Sequence, residues 1–167
     1  KTSIDASIAR NISQWLGGSH DLKAGLQYTH SSTTINDAYL QGVFFYDFNG
    51  PYFIERHEPS GTGGLLRVFG GFVQDNWTVN GRVTLNLGLR VDRTAAGIQR
   101  VAQLDDTSRV TTGVVFDALP DLIAFAHASP RVGIAVRLDE SARTIVKASY
   151  GRYYGRLNTN MFSAVSP

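Results

Sequence analysis

Cysteine is absent from the 167 residues. Without thiols there is no disulfide framework and no thiolate zinc site. Long apolar runs are missing too: the most apolar stretch, Val114 to Ala126, is broken by Asp117, Pro120 and Asp121. A membrane helix needs about 18 or more consecutive apolar residues, so a transmembrane helix is excluded. A membrane β-barrel is not, because its strands are apolar only at alternate positions. Charge of one sign is scarce as well, with 16 Lys+Arg against 14 Asp+Glu and a net +2. The basic residues are scattered singly, unlike the clustered patch of a nucleic-acid binder, and no nucleic-acid partner is expected. The opening Lys1-Thr2-Ser3-Ile4-Asp5 carries neither a start methionine nor an apolar leader segment. It reads as the middle of a strand, so the chain is expected to be a piece of a longer polypeptide.

What the sequence does have is alternation. In the run Arg82–Asp92, Val83, Leu85, Leu87, Leu89 and Val91 are separated by Thr84, Asn86, Gly88 and Arg90. Val132, Ile134, Val136 and Leu138 alternate with Arg131, Gly133, Ala135, Arg137 and Asp139; Val146, Ala148 and Tyr150 alternate with Lys147 and Ser149. Leu22, Ala24, Leu26 and Tyr28 alternate with Asp21, Lys23, Gly25 and Gln27. A period of two means strands with one apolar and one polar face. Arg10 and Asp75 break the pattern, each falling on an apolar side.

Short connections are expected at Gly17-Gly18-Ser19, Asn80-Gly81 and Asp139-Glu140-Ser141. Long stretches, His30 to Leu66, Thr94 to Ser129 and Leu157 onward, read as loops. The first holds its own hairpin, Gln41–Phe48 with Tyr52–His57. Hairpins recur about every 62 residues with little residue-level repeat. Short turns at one end and long loops at the other are the form of an outer-membrane barrel. Sandwich strands usually run about 5–6 residues, whereas these runs reach the roughly 9–11 that cross a bilayer at a tilt. The expected fold is all-β: an antiparallel up-and-down meander, a fragment of a transmembrane β-barrel with about six long strands plus a loop hairpin. Arg or Lys on the lipid face costs about 2–4 kcal/mol at the midplane, so the Val/Leu/Ile faces should meet lipid and the polar faces a wet lumen. Trp15, Tyr28, Trp77, Tyr150 and Tyr154 suit the interfacial girdles.

The segment Phe72-Val73-Gln74-Asp75-Asn76-Trp77, followed by Thr84-Leu85-Asn86-Leu87-Gly88-Leu89-Arg90-Val91-Asp92, resembles the barrel of TonB-dependent receptors. There an aromatic-x-Gln-Asp-x-Trp strand, a tight turn and Leu-Thr-Leu-Asn-x-Gly-x-Arg-Tyr-Asp follow one another; this chain departs at Val83 and Val91. Ser129-Pro130-Arg131-Val132-Gly133 and Lys147-Ala148-Ser149-Tyr150-Gly151-Arg152-Tyr153-Tyr154 are similar to the next hairpin of that family. The set looks closest to the Oar-like branch, whose members carry a carboxypeptidase-regulatory-like domain. The close resemblance covers Phe69–Asp92 and Ser129–Tyr154. It implies residues 1–167 are part of a plugged, 22-stranded barrel, without the plug domain or the TonB box. It also implies a non-enzymatic transporter in the Gram-negative outer membrane, importing a scarce small molecule or glycan. Its expected partners are outer-membrane lipid and, through the rest of the protein, the plug and TonB. A plug-less porin or adhesin-like barrel and a soluble β-sandwich binding module are the alternatives.

Candidate lumen-facing or plug-contact residues are Gln74, Asn76, Asn86, Arg90, Asp92, Arg131, Arg137 and Lys147. They read first as polar ladders or plug contacts bracing the wall, and second as guides for substrate. Phe44, Phe45, Tyr46, Phe48, Tyr52 and Phe53 either grip an extracellular ligand or pack their own hairpin. His20, His30, His57 and His127 show no metal-ligand spacing and read as turn and loop residues. Asp105, Asp106, Asp117 and Asp121 lie in one loop and could bind calcium, but acidic loop residues are usually just solvated. Gly61-Thr62-Gly63-Gly64 lacks the lysine of a P-loop and reads as flexible loop. No catalytic set, metal site or cofactor is expected.

Overall fold

The computed structural model describes residues 1–37, 43–46, 53–56, 60–105, 111–141, 143–155, 157–159 and 161. Among these described residues ten strands follow in chain order: β1 (Thr2–Trp15), β2 (Gly18–Asp37), β3 (Val43–Tyr46), β4 (Phe53–Arg56), β5 (Ser60–Val79), β6 (Val83–Ile98), β7 (Val101–Leu104), β8 (Thr111–Phe116), β9 (Leu119–Arg137) and β10 (Ile145–Gly151). Six form one antiparallel sheet in the order β1-β2-β5-β6-β9-β10. The other four make two hairpins, β3-β4 and β7-β8, in the long connections. The meander is the one expected, and it gains a second loop hairpin.

Register makes the alternation continuous across the sheet. Ile8 pairs with Ala24, Ala24 with Val73, Val73 with Leu89, and Leu89 with Pro130. One face is therefore apolar throughout the middle of the strands, and among the described residues nothing packs on it. Ile8 is 73% exposed, Leu26 56% and Val73 51%. Phe69 to Val79 covers about 33 Å along the strand at ~3.3 Å per residue, or ~25 Å upright at a ~40° tilt. That is the height of the apolar band on an outer-membrane barrel. Trp15 and Trp77 mark its edge at the short turns, and the cross-strand pair Tyr28–Phe69 its other edge. Tyr28 thus lies mid-strand, because β2 runs on to Asp37. Tyr154 is not on this face at all.

Both sequence exceptions sit at the rim of the band, in one cross-strand row of Arg10, Leu22 and Asp75. Asp75 is tolerated because it has a partner. His20, 2% exposed, lies between the rings of Trp15 and Trp77 at centroid distances of 4.9 and 5.1 Å. Its Nδ1 is 2.7 Å from Asp75 Oδ2 and its Nε2 is 3.0 Å from the Trp15 carbonyl oxygen. Both ring nitrogens thus face an oxygen atom, one on a side chain and one on the backbone. The clasp joins the first turn to β5. Arg10 has a long stem that can lie on the apolar surface with its head toward the rim.

The turns follow local chemistry. Leu16 and Gly17 both have positive φ (47° and 76°) between the paired Trp15 and Gly18, the geometry of a two-residue type I′ turn; Asn80 and Gly81 also have positive φ (48° and 65°), and Arg82 joins that turn because Val79 pairs with Val83. The first turn is therefore Leu16-Gly17, one residue earlier than expected, and Gly18 already belongs to β2. In the third, Asp139 accepts the backbone N–H groups of Arg143 and Thr144 at 2.7 and 2.8 Å. The Arg143 bond lowers its pKa most, and the carboxylate stays ionised below the usual range.

Several stretches expected as loop are strand. β2 and β5 each run 20 residues, so Gly61-Thr62-Gly63-Gly64 lies in β5. His20 and His30 sit in β2, and His127 and Asp121 in β9, rather than in turns. His57 and Asp106 lie outside the described residues. Buried apolar side chains gather away from the lipid-like band, on the polar face at the long-connection end: Leu66, Ala96, Ile98 and Val101.

Candidate functional site

The polar face carries ladders across the strands. Ser3 and Thr29 hydroxyls meet at 3.1 Å, and Asn11 Nδ2 donates to Asp21 Oδ1 at 2.6 Å. Asn76 and Asn86 are directly opposed on β5 and β6. The densest cluster lies higher. Arg90 and Asp92 are two residues apart on β6 and so share a face. Arg90 donates from Nε and Nη2 to both carboxylate oxygens of Asp92, at 2.7 and 2.6 Å. Its Nη2 also donates to Gln27 Oε1 at 2.7 Å, reaching across β5 to β2. The span is possible because β5 offers Gly70 between them, where any Cβ would overlap the Asp92 carboxylate. Asp92, 7% exposed, is opposed on β9 by His127, whose Nε2 is 3.8 Å from Asp92 Oδ2.

Aromatic rings close over this group. His127 lies between Phe125 and Tyr154, with centroids at 5.8 and 4.1 Å. The Arg131 guanidinium sits 4.9 Å from the centroid of Tyr153, and Arg152 4.9 Å from that of Tyr154. Such contacts hold a cation in place without neutralising it. Together Gln27, Arg90, Asp92, His127, Arg131 and Tyr154 border a hollow of about 290 Å³. It offers paired charges, a guanidinium stacked on a ring, and aromatic walls. Among the described residues no group of three or more His, Cys, Asp or Glu is placed to hold a metal ion.

Of the residues singled out in the sequence, Arg90, Asp92 and Arg131 meet at this hollow. Gln74 borders a smaller one with Arg90 and Arg131. Asn76 and Asn86 lie nearer the short turns, as do Arg137, opposite Ile145, and Lys147, opposite Ala135; neither cation joins the cluster. Gln27, His127, Tyr153 and Tyr154 were missed. His127 was read as loop because β9 loses its apolar alternation past Pro130, yet its pairing with Asp92 continues the same register. Phe44, Phe45 and Tyr46 lie on β3 and Phe53 on β4, where Tyr46 pairs with Phe53. Phe48 and Tyr52 lie outside the described residues.

A single-layer meander with one unpacked apolar face and one polar, hydrogen-bonded face is the wall of a membrane barrel. The family model of the outer membrane beta barrel domain matches residues 5–167, and the chain belongs to that family. Among curated proteins it is similar to the TonB-dependent transporter Oar of Myxococcus xanthus, with 28% identity over 171 residues. That alignment covers 90% of this chain and 14% of the relative, so the chain spans about one-seventh of the relative's length. No solved structure matches.

Proposed function

We propose that this chain forms part of the wall of a TonB-dependent outer-membrane transporter that takes up a scarce ligand. The apolar face meets lipid, the polar face lines the lumen, the short turns are periplasmic and the long connections extracellular. The observation that carries the reading is the segregation of the two faces across six strands, with Arg10 and Asp75 as exceptions at the rim, in a chain similar along 90% of its length to a transporter. Reversing the faces would put Lys23, Arg90 and Arg131 into hydrocarbon, at about 2–4 kcal/mol each near the midplane. In this reading the Arg90–Asp92–Gln27 cluster braces the wall, and Arg131 with its aromatic neighbours meets the plug or the passing ligand. Energy coupling and occlusion of the pore belong to other parts of the protein, which would carry the plug and contact TonB. The barrel itself does no chemistry on its cargo.

The test is uptake by cells lacking the complete gene, complemented in backgrounds with and without functional TonB. Growth on a limiting nutrient, a metal chelate, a cobalamin or a glycan, should fail without either. Uptake that persists without TonB would instead favour a plug-less diffusion barrel.

A further inference from the structure

We propose that residues 152–155 and 157–159 belong to a resident inner strap, seated across the polar wall, that narrows the bore at its long-connection end. The inference rests on the polar face being the inner one, and is independent of what the barrel carries.

The strap leaves β10 where the Arg152 N–H donates to the Pro130 carbonyl at 3.0 Å, next to the last rung of the β9–β10 ladder. It then runs over the wall instead of extending the strand. Tyr153 covers Arg131 and Tyr154 covers His127, both on β9. Leu157 packs against Leu66 and Ala96, on β5 and β6, which are otherwise the apolar patch of a polar face. Thr159 meets Thr33 of β2, hydroxyl to hydroxyl at 2.8 Å. Four consecutive strands of the meander are thus crossed.

The wall is shaped to receive it. At Gly64 any Cβ would overlap the backbone carbonyl of Thr159, so that only glycine admits the strap there. A glycine inside a strand weakens it and often marks a close backbone approach. Here the approach is visible, and it gives a role to a glycine that the sequence offered only as flexible loop. The strap also explains why Leu66 and Ala96 face inward. Without it an apolar patch would line a wet lumen; with it Ala96 is fully buried. A packed layer is about 10 Å thick, and the bore is reduced by that order. Tyr153, 70% exposed, is what the strap presents to the interior.

The test uses the full-length protein in native outer membranes, with Thr33→Cys and Thr159→Cys introduced together; this chain contributes no other thiol. Mild oxidation should join the pair, read as a mobility shift on a non-reducing gel. Adding Gly64→Val, which suits a strand but evicts the Thr159 carbonyl, should lower the cross-link yield about tenfold, equivalent to roughly 1.4 kcal/mol of lost seating. Heat-modifiable migration verifies that each barrel has folded, and Leu157→Asp supplies a second way to unseat the strap. In a separate protein, Leu157→Cys should react slowly with a membrane-impermeant maleimide, and about tenfold faster when Gly64→Val is added. A folded barrel in which the pair does not cross-link overturns the strap. So does cross-linking that neither Gly64→Val nor Leu157→Asp reduces.

Discussion

Replacing Leu89 by arginine tests the assignment of the two faces at its most sensitive point. Leu89 pairs with Val73 and Pro130 in a cross-strand row about midway between the Trp77 rim and the Tyr28–Phe69 rim. Its side chain is 44% exposed on the apolar face, with no polar neighbour in that row. If that face meets lipid, the guanidinium enters hydrocarbon near its midplane and costs about 2–4 kcal/mol. At 1.4 kcal/mol per factor of ten, the folding equilibrium falls by roughly 30- to 800-fold. Depth supplies an internal scale. Val83→Arg, at the short-turn rim, should cost only about 0–1 kcal/mol, because the head reaches the interface. Asn86→Arg, three residues before Leu89 and on the polar face, should stay within ~0.5 kcal/mol. Urea titration of the refolded full-length barrel in lipid vesicles measures all three. The reasoning fails if Leu89→Arg and Asn86→Arg unfold together, since an apolar face turned to water would tolerate arginine as well as the polar face does.

Two further outcomes follow from the polar groups. Asp92→Leu leaves Arg90 with Gln27 as its remaining bonded partner and should destabilise the barrel by about 1–3 kcal/mol. Combined with Arg90→Leu in a double-mutant cycle, it should show a coupling of roughly 0.5–3 kcal/mol, and strict additivity would mean the pair does not act as a unit. In the third short turn, Asp139 has a lowered pKa, chiefly through the Arg143 N–H bond, so the native turn favours its ionised form. A carboxylate depressed in the folded state contributes fully above its unfolded value, near 3.8, and that contribution is lost as pH falls through the lower folded value. Amide exchange at Arg143 and Thr144 should therefore accelerate relative to neighbouring strand amides on acidification through that window. Asp139→Ala should abolish the pH dependence, and an unchanged profile would refute the assignment.

How much of this was legible depends on where the chain meets lipid. Between the rims every second residue must be apolar, and runs such as Val83–Val91 announce their strands and faces directly. Beyond the rims both faces are free to be polar. Ser31-Ser32-Thr33-Thr34 continues β2 with no alternation to reveal it, and the strands were read as ending where only the lipid ended. The Arg90–Asp92 pair was readable because two residues apart in a strand means one face. His127 was not, because its partnership with Asp92 is set by a register between β6 and β9 that local sequence does not encode. The His20–Asp75 clasp showed only as an exception, Asp75 on the wrong side, since the balancing imidazole comes from another strand 55 residues away. The strap was invisible for a related reason: its seat is an absence, the missing side chain of Gly64.

The lengths of β2 and β5 carry one more consequence. Twenty residues at ~3.3 Å each, tilted by ~40°, rise roughly 50 Å, about twice the apolar band. The surplus lies wholly on the long-connection side, because the short turns sit against the Trp15–Trp77 rim. The sheet is therefore a stiff collar standing about 20 Å clear of the hydrocarbon. The β3–β4 and β7–β8 hairpins follow strands that have already left the apolar band. In the proposed transporter, whatever first touches that end would meet a pre-shaped rim, so less conformational freedom would be lost on binding.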